Sequence, residues 1–338
     1  MALDQRNIQR VESLPGVIGQ SAAMQTAAER VALISETEVT CLLSGETGTG
    51  KELFARAIHY LGRRKNGPFV PVNCGAIPDH LLENELFGHR RGAYTDAKSN
   101  EIGLLAYAEA GTLFLDEVDA LTASAQVKIL RVLQEREYRP VGSAHMMPAN
   151  IRIVAATNCN LRHRVDARQF REDLYFRLNI LSLTIPPLRD RLDDVPALAA
   201  HYVREYALTH RRAVTGFDDS LIARLQAYRW PGNVRELQAV IQRSVLTAKS
   251  PVLTAADLDL PGTVTPIASV HLTLKAAKNV AVSQCERSYL SAVLRRCEGN
   301  VTQAAKLAGK ERRSFQRLLR KYSIAVPSFK DTQKSASA

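Results

Sequence analysis

The sequence predicts an α/β domain with a parallel sheet, then a helical subdomain, and then a separate all-helical module. Three observations predict this order. Short β-branched or apolar runs alternate with helical stretches from residue 14 to residue 184, strand signals disappear from residue 186 to residue 258, and positive charge is concentrated near the C-terminus. Strands separated by helices favour a parallel sheet that is covered by helices on both faces.

The predicted elements fill these regions in order. Strands are expected over residues 39–44, 69–73, 112–116 and 151–156, and lid helices over residues 191–207, 218–228 and 234–248. Pro261, Gly262 and Pro266 indicate a linker. The expected domains are a flexible segment 1–12, an α/β subdomain 13–185, a helical lid 186–258, a linker 259–272, a C-terminal domain 273–325 and a disordered tail 326–338.

Bulk composition excludes several classes of protein. No run of eighteen apolar residues occurs, and the N-terminus has no signal-peptide core, so no membrane segment and a cytoplasmic location are expected. The five cysteines are scattered without a Cys-X-X-Cys pair, which indicates reduced thiols and neither a disulfide framework nor a zinc site. These cysteines are Cys41, Cys74, Cys159, Cys285 and Cys297.

A glycine-rich loop follows the first predicted strand and opens a helix. It reads GETGTGKE and comprises Gly45, Glu46, Thr47, Gly48, Thr49, Gly50, Lys51 and Glu52. Glycines allow backbone N–H groups to turn toward phosphates, and the helix N-terminus adds partial positive charge. Lys51 is predicted to reach the β- and γ-phosphates of ATP. Glu52 stands where Ser or Thr usually binds magnesium, so the metal must rely on other groups.

Two carboxylates end another apolar strand in the stretch GTLFLDE. Carboxyl ends of parallel strands meet at the edge where ligands bind, so both side chains are expected beside the phosphates. Asp116 is predicted to hold Mg²⁺, and Glu117 to orient and deprotonate the attacking water. An Asp-Glu pair alone often marks only the start of a helix, and the phosphate loop upstream is what favours the catalytic interpretation.

These motifs, with VNCGAI, ATNCNL and WPGNVREL, resemble the AAA+ activators of sigma-54 RNA polymerase, the NtrC-like enhancer-binding proteins. The resemblance covers about residues 14–324. It implies a P-loop ATPase that binds upstream DNA and remodels the closed sigma-54 polymerase complex. Asn73 resembles the asparagine that pairs with the catalytic glutamate, here Glu117, although a buried asparagine satisfying strand-edge backbone is the alternative. Thr157 and Asn158 resemble the sensor of the γ-phosphate.

The same resemblance assigns roles in nucleotide binding or hydrolysis to three arginines. Arg171 and Arg177, in FREDLYFRLNI, resemble arginines that act on the nucleotide of a neighbouring subunit, and Arg235 resembles the second sensor, in the lid. If a neighbouring subunit must supply such an arginine to the nucleotide, the catalytic site of a single subunit is incomplete. The resemblance therefore implies a homo-oligomeric ring, a hexamer in the family.

The sigma-54 contact loop of the family matches GAYTDA, which is formed by Gly92, Ala93, Tyr94, Thr95, Asp96 and Ala97. The family commonly has glycine where Asp96 stands, and many members have glutamate where Arg90 stands. These departures leave an alternative open, in which the chain is a nucleotide-controlled DNA-binding regulator that acts without sigma-54. No receiver domain precedes Leu14, so control by a partner protein, such as a negative regulator, is expected.

The C-terminal region resembles the Fis-type helix-turn-helix of the same family. Residues 271–330 carry 13 lysines and arginines against three acidic residues, within a chain of net charge +11. Such a concentration points to nucleic acid, although a solvated basic tail or a protein-binding hairpin are the alternatives.

In the last predicted helix, Phe315, Leu318, Leu319 and Tyr322 recur at i, i+3, i+4 and i+7, which predicts one buried stripe. The preceding helix, about residues 275–297, is expected to join two copies as a dimer, so a palindromic DNA site is expected. The face opposite the stripe is predicted to bind that site with the base readers Arg312, Arg313 and Gln316 and the phosphate contacts Arg317, Arg320 and Lys321.

Overall fold

The computed structural model describes residues 14–93, 99–260 and 282–324, the last range with gaps at 284–285, 288, 292, 295, 298 and 323. The chain divides into two compact units, Met1–Asp259 and Leu260–Ala338. The predicted segments 1–12 and 326–338, and most of the predicted linker, lie outside the described residues.

The first unit begins as an alternation of helices and strands. Its α/β part contains α1 (Ala22–Ser35), β1 (Cys41–Ser44), α2 (Lys51–Leu61), β2 (Phe69–Asn73), α3 (Asp79–Phe87), β3 (Gly88–His89), β4 (Glu101–Ile102), α4 (Leu104–Tyr107), β5 (Thr112–Asp116), α5 (Ala123–Glu135), β6 (Glu137–Tyr138), β7 (Met147–Pro148), β8 (Arg152–Thr157), α6 (Leu161–Asp166), α7 (Glu172–Leu178) and β9 (Leu181–Thr184).

Five strands form one parallel sheet in the order β2-β5-β8-β1-β9. The predicted parallel α/β architecture is therefore confirmed. The edge strand β9 was not predicted as a separate strand, because its four residues, LSLT, begin only three residues after α7 ends and give little period-2 signal. All the strand ends that carry the predicted site residues face the same edge of this sheet.

The core lies on both faces of the sheet. In β5, Leu113 and Leu115 belong to the cluster under α3 and α5, whereas Phe114 belongs to the cluster under α1 and α2. Ile153 and Val154 of β8 divide in the same way. Successive side chains of a strand point to opposite faces, so the central strands are buried on both sides and read as continuous apolar runs.

The lid contains three long helices, α8 (Val195–Thr209), α9 (Asp219–Gln226) and α10 (Asn233–Thr247). The prediction that strands vanish here was wrong in one detail, since β10 (Gly216–Phe217) pairs in parallel with β11 (Val252–Leu253). Two residues are too few to produce a strand period. Helix α8 starts later than predicted because the residues before Val195 form two 3₁₀ turns.

In the second unit, the described residues between 282 and 296 are helical, and α11 (Val301–Leu307) and α12 (Arg312–Lys321) follow. Asn300 caps α11 by accepting from the amides of Thr302 and Gln303. Gly309, in the turn, has φ +63, a conformation that favours glycine. Among the described residues, no helix has both the length and the apolarity needed to cross a membrane.

Candidate functional site

The phosphate loop connects β1 to α2, and two of its glycines are required by geometry. Gly48 and Gly50 have φ of +81 and +101. A Cβ on Gly48 would also lie 2.3 Å from the carbonyl oxygen of Gly232, so loop and lid backbones approach too closely there for any side chain. The loop is thereby pre-shaped, with Thr47 and Lys51 among the residues that line an adjoining pocket of ≈ 400 Å³.

Lys51 is the first residue of α2 and is buried. Its Nζ donates to the carbonyl oxygens of Gly45, at 2.9 Å, and Glu46, at 3.2 Å. The pKa of Lys51 lies below its ordinary value because the group is buried, and the nearby carboxylates of Asp116 and Glu117 offset only part of this effect. The ammonium group therefore lies between the loop and the two carboxylates, where a cation would meet the phosphates of a nucleotide.

Asp116 and Glu117 lie at the carboxyl end of β5 and line the same pocket as Lys51. The Asp116 Oδ1 accepts the backbone N–H of Glu117 at 3.0 Å. Glu117 has φ 53 and ψ 49, a left-handed conformation that is uncommon for a residue with a side chain. Such strain costs about 1–3 kcal/mol and is concentrated at functional sites.

The expected hydrogen bond between Asn73 and Glu117 does not occur among the described residues. Asn73 lies opposite Asp116 in the sheet, and its Oδ1 accepts the amides of Gly75, at 2.9 Å, and Ala76, at 3.0 Å. This local turn uses the oxygen, since an asparagine side chain bonds readily to backbone two or three residues on. Asn73 and Glu117 nevertheless line the same pocket.

The predicted sensor residues follow β8. Thr157 is buried, and its Oγ1 donates to Asp119 Oδ1 at 2.6 Å. Asn158 Nδ2 donates to Oγ1 of Thr47 at 3.4 Å, a long hydrogen bond to the phosphate loop. The strand end therefore connects the loop to the segment that follows the two pocket carboxylates.

Arg171 and Arg177 are exposed and do not line this chain's own pocket. The guanidinium of Arg171 pairs with Asp173 through two hydrogen bonds of 3.0 and 2.7 Å, and its backbone N–H donates to Gln126. Arg171 lines a separate surface cavity of ≈ 540 Å³ together with Arg162. The structure thus separates these arginines from the other predicted site residues of the first unit.

The lid completes the pocket at the start of α10. Arg235 lines the pocket, and the backbone amides of Val234 and Arg235 donate to the Gly48 carbonyl at 3.0 and 3.4 Å. Beside the pocket, a small slot is lined by Ile18, Phe54 and Tyr202, among others. This slot is mostly apolar, in contrast to the polar pocket beside the phosphate loop.

Several residues of this site carried no motif that singled them out. Tyr202 and Gln238 line the pocket from α8 and α10, and burial, the largest cause, raises the pKa of Tyr202 to about 12. Arg189 and Asn233 donate hydrogen bonds to the carboxylate of Glu46, a residue of the phosphate-loop motif that was predicted to bind nucleotide. Asn233 lies in WPGNVREL, so the lid motif was the signal that could have found it.

The structure describes only the first two residues of the predicted contact loop. Gly92, with φ +80, and Ala93 follow the β3 strand, and the Ala93 amide donates to the Arg90 carbonyl at 3.0 Å. Arg90 is exposed. The rest of the predicted hexad, from Tyr94 to Ala97, lies outside the described residues.

In the second unit, α12 has one buried and one polar face. Phe315 and Leu319 are buried against α11, as the predicted apolar stripe requires. The predicted DNA-binding side chains that are described are all exposed; these are Arg312, Arg313, Gln316, Arg317 and Lys321. Lys321 Nζ also lies 3.9 Å from Glu286, and the Arg320 side chain is outside the described residues.

Three family models match this chain in sequence. The model described as "Sigma-54 interaction domain" matches residues 17–184, the "AAA+ ATPase lid domain" matches residues 189–264, and "Bacterial regulatory protein, Fis family" matches residues 281–322. The three matches follow one another along the chain in the order of its α/β part, its lid and its C-terminal helices.

Relatives match over most of the chain. The transcriptional regulatory protein GlrR of Escherichia coli K12 is 44% identical over 93% of this chain and 70% of its own length. The C4-dicarboxylate transport regulator DctD of Pseudomonas aeruginosa is 42% identical over 91% of this chain and 64% of its own. The structure of NtrX from Brucella abortus in complex with ATP superposes with a TM-score of 0.68 at 31% identity, covering 96% of this chain and 73% of that one.

Proposed function

The chain belongs to the sigma-54-dependent transcriptional activators with an AAA+ ATPase-type domain, and from this premise we propose that it spends ATP to remodel the closed sigma-54 RNA polymerase complex. One observation supports the ATPase step above the others. Lys51, Asp116, Glu117 and Arg235 line a single pocket, although they come from a loop, a strand end and the lid.

The residues of the pocket fit ATP with Mg²⁺. Magnesium keeps several waters and is usually held by one or two carboxylates plus phosphate oxygens. Asp116 supplies such a carboxylate in the same pocket as Lys51, so Asp116 together with phosphate oxygens would hold the metal. The metal would neutralise charge on the phosphates. Glu117 would take the proton of the attacking water, and Lys51 would hold the β- and γ-phosphates.

We further propose a homo-oligomeric ring in which Arg171 and Arg177 act on the neighbouring subunit's nucleotide. Both side chains are exposed and do not line this chain's own pocket, which supports that assignment. Arg171 would exchange Asp173 for the phosphate of the neighbour, since a guanidinium forms the same two-pronged contact with either anion. Asn73, Thr157 and Asn158 would report the state of the phosphates to the rest of the ring.

The remaining roles complete the activator. The exposed basic face of α12 would bind upstream DNA, with Arg312, Arg313 and Gln316 reading bases and Arg317, Arg320 and Lys321 contacting phosphates. The hexad Gly92–Ala97 would contact sigma-54 in the cytoplasm, under the control of a partner protein. Action without sigma-54 is not favoured, because the matched family model over residues 17–184 is the sigma-54 interaction domain.

The proposal is tested by capturing purified sigma-54 on the protein in the presence of ADP and aluminium fluoride, which mimic the transition state. Nucleotide-dependent capture is expected, and Lys51→Ala is expected to abolish it. An Asp96→Gly variant, which restores the glycine that the family commonly has at this position, serves as the comparison. If the unaltered chain hydrolyses ATP but captures no sigma-54, the remodelling role is contradicted while the proposed ATPase activity is supported.

A further inference from the structure

The phosphate loop contains an acid where a polyphosphate would bind. Glu46 is the second residue of the loop, and a carboxylate directed at phosphates would repel them. Its oxygens are instead paired with the Arg189 guanidinium, with distances of 2.7 Å from Nη1 to Oε2 and 2.6 Å from Nη2 to Oε1. This two-pronged geometry makes arginine–carboxylate pairs directional, and it counts here because both side chains are 42% exposed, where a pair without fixed geometry contributes little. Glu46 therefore faces the lid side of the loop.

Asn233 completes the contact from the first residue of α10. Its side chain is fully buried, and its Nδ2 donates to Glu46 Oε2 and to the carbonyl oxygen of Thr47, both at 3.1 Å. Its Oδ1 accepts the Leu188 amide at 2.8 Å. Asn233 also has φ 52, a left-handed conformation that asparagine tolerates better than most residues. One amide group thus ties the loop to two separate parts of the lid.

The same turn carries Arg235 to the pocket. Two residues after Asn233, the Arg235 amide joins that of Val234 on the Gly48 carbonyl. With Gly48 packed directly against Gly232, the loop and the start of α10 have no room to shift independently. A displacement of the loop by phosphates would therefore move the base of Arg235 as well.

We propose that Glu46, Arg189 and Asn233 form a latch that fixes the phosphate loop to the lid and so sets where Arg235 meets the nucleotide. Glu46 is then a positioning residue for hydrolysis. The inference rests on the proposed ATPase function and deepens it. Hydrogen bonds from Arg189 and Asn233 hold the pKa of Glu46 at about 2, so its carboxylate stays charged across the neutral range.

The first test compares Glu46→Gln, which keeps the shape of the side chain and removes its charge, with Glu205→Gln. Among the side chains that the structure describes, Glu205 pairs with His201 on the exposed surface of α8, makes no hydrogen bond to the phosphate loop and does not line the pocket, so it is a matched control. The latch predicts that kcat for ATP falls about tenfold or more in Glu46→Gln, as expected for loss of a charged hydrogen bond, while the Kd for a non-hydrolysable ATP analogue changes less than about threefold. Glu205→Gln is expected to behave as the unaltered chain.

A double variant separates a latch from general destabilisation. Arg189→Met alone is expected to lower kcat as Glu46→Gln does. The double variant is expected to have a kcat no lower than either single variant, because both substitutions remove the same interaction. Arg189→Lys keeps the positive charge without the two-pronged geometry, so its kcat is expected to lie between those of Arg189→Met and the unaltered chain. Additive losses, or an unchanged kcat in Glu46→Gln, would overturn the latch.

A second readout does not need hydrolysis. Amide hydrogen exchange of Val234 and Arg235 reports their hydrogen bonds to Gly48, and it is expected to accelerate in Glu46→Gln and not in Glu205→Gln. If the unaltered chain fails to hydrolyse ATP, the proposed function fails while this measurement still decides on the latch. Unchanged exchange at both amides would overturn it.

Discussion

Asp194 joins the lid to the first helix, and its removal is expected to destabilise the whole first unit. Its carboxylate is fully buried in front of α8 and accepts three hydrogen bonds from the entry to α1. These come from the amides of Gln20, at 2.6 Å, and Ser21, at 2.8 Å, and from the Ser21 hydroxyl at 2.8 Å. The buried Arg191 guanidinium lies close enough to interact electrostatically with it.

The size of the effect follows from these contacts. Asp194→Ala leaves the buried Ser21 amide without its acceptor, at about 1–3 kcal/mol, leaves the partly buried Gln20 amide to water, and removes an anion that interacts with a buried cation. Water entering the site would recover part of this, so we expect a loss of about 3–5 kcal/mol in the free energy of unfolding. With a urea dependence of about 3 kcal/mol per molar, the midpoint should fall by roughly 1 M or more.

The assay uses the chain's single tryptophan. Trp230 is fully buried in the lid, and the second unit contains no tryptophan, so the fluorescence of a urea titration reports the first unit alone. Asp193→Ala is the matched control, because Asp193 is the exposed neighbour of Asp194. The reasoning is refuted if Asp194→Ala shifts the midpoint no further than Asp193→Ala does.

Three further predictions concern catalysis, thiols and DNA. Glu117→Gln is expected to lower kcat for ATP by about 10²–10⁴, the usual contribution of a general base, with the Kd for nucleotide within about threefold of the unaltered chain. Burial raises the pKa of Cys41 and of Cys74 to about 12, so neither thiol should react with a disulfide reagent at pH 8 in the folded protein, as followed by peptide mass mapping. Arg317→Ala should reduce the slope of log K against log salt for DNA binding by about one, measured by fluorescence anisotropy.

Each of these has its own control. The Glu117 result requires unchanged urea stability, and a variant that hydrolyses ATP normally would exclude this residue as the base. Cys159 is partly exposed and should be labelled where Cys41 and Cys74 are not; labelling of all three at equal rates would contradict the burial argument. For DNA, Lys306→Ala on α11 is the comparison, and an equal change of slope in both variants would argue against a specific role for Arg317.

Local motifs selected Lys51, Asp116 and Glu117, which the structure brings to one pocket, but not the residues that bond to the phosphate loop from the lid. The phosphate loop was predictable because strand, loop and helix follow one another within about twenty residues, and the strand ending in Asp116 and Glu117 was equally local. Arg189 and Asn233 could not be predicted as partners of Glu46, since 143 and 187 residues separate them from it and no periodic pattern spans such distances. Asp194 was missed for the same reason.

Other differences arose from local bonding and from short elements. Asn73 lines the same pocket as Glu117, as expected, but its Oδ1 accepts the amides that follow it in the chain, and in the part of the chain that the structure describes its Nδ2 makes no hydrogen bond to the Glu117 carboxylate. The short strands β9, β10 and β11 gave too few residues for a period to be read. The helical pattern of α12, in contrast, placed Phe315 in the core of the second unit correctly, because ten residues span almost three turns.

The close packing of Gly48 against Gly232 also bears on how the chain is made. The phosphate loop leaves the ribosome long before the turn that supports it, and the gap between the two contacting segments exceeds 180 residues. Synthesis proceeds at about 5–20 residues per second, so the nascent loop spends on the order of 10–40 seconds without its lid contacts. A nucleotide site of this shape is therefore assembled late in translation, after the sheet already has its central strands.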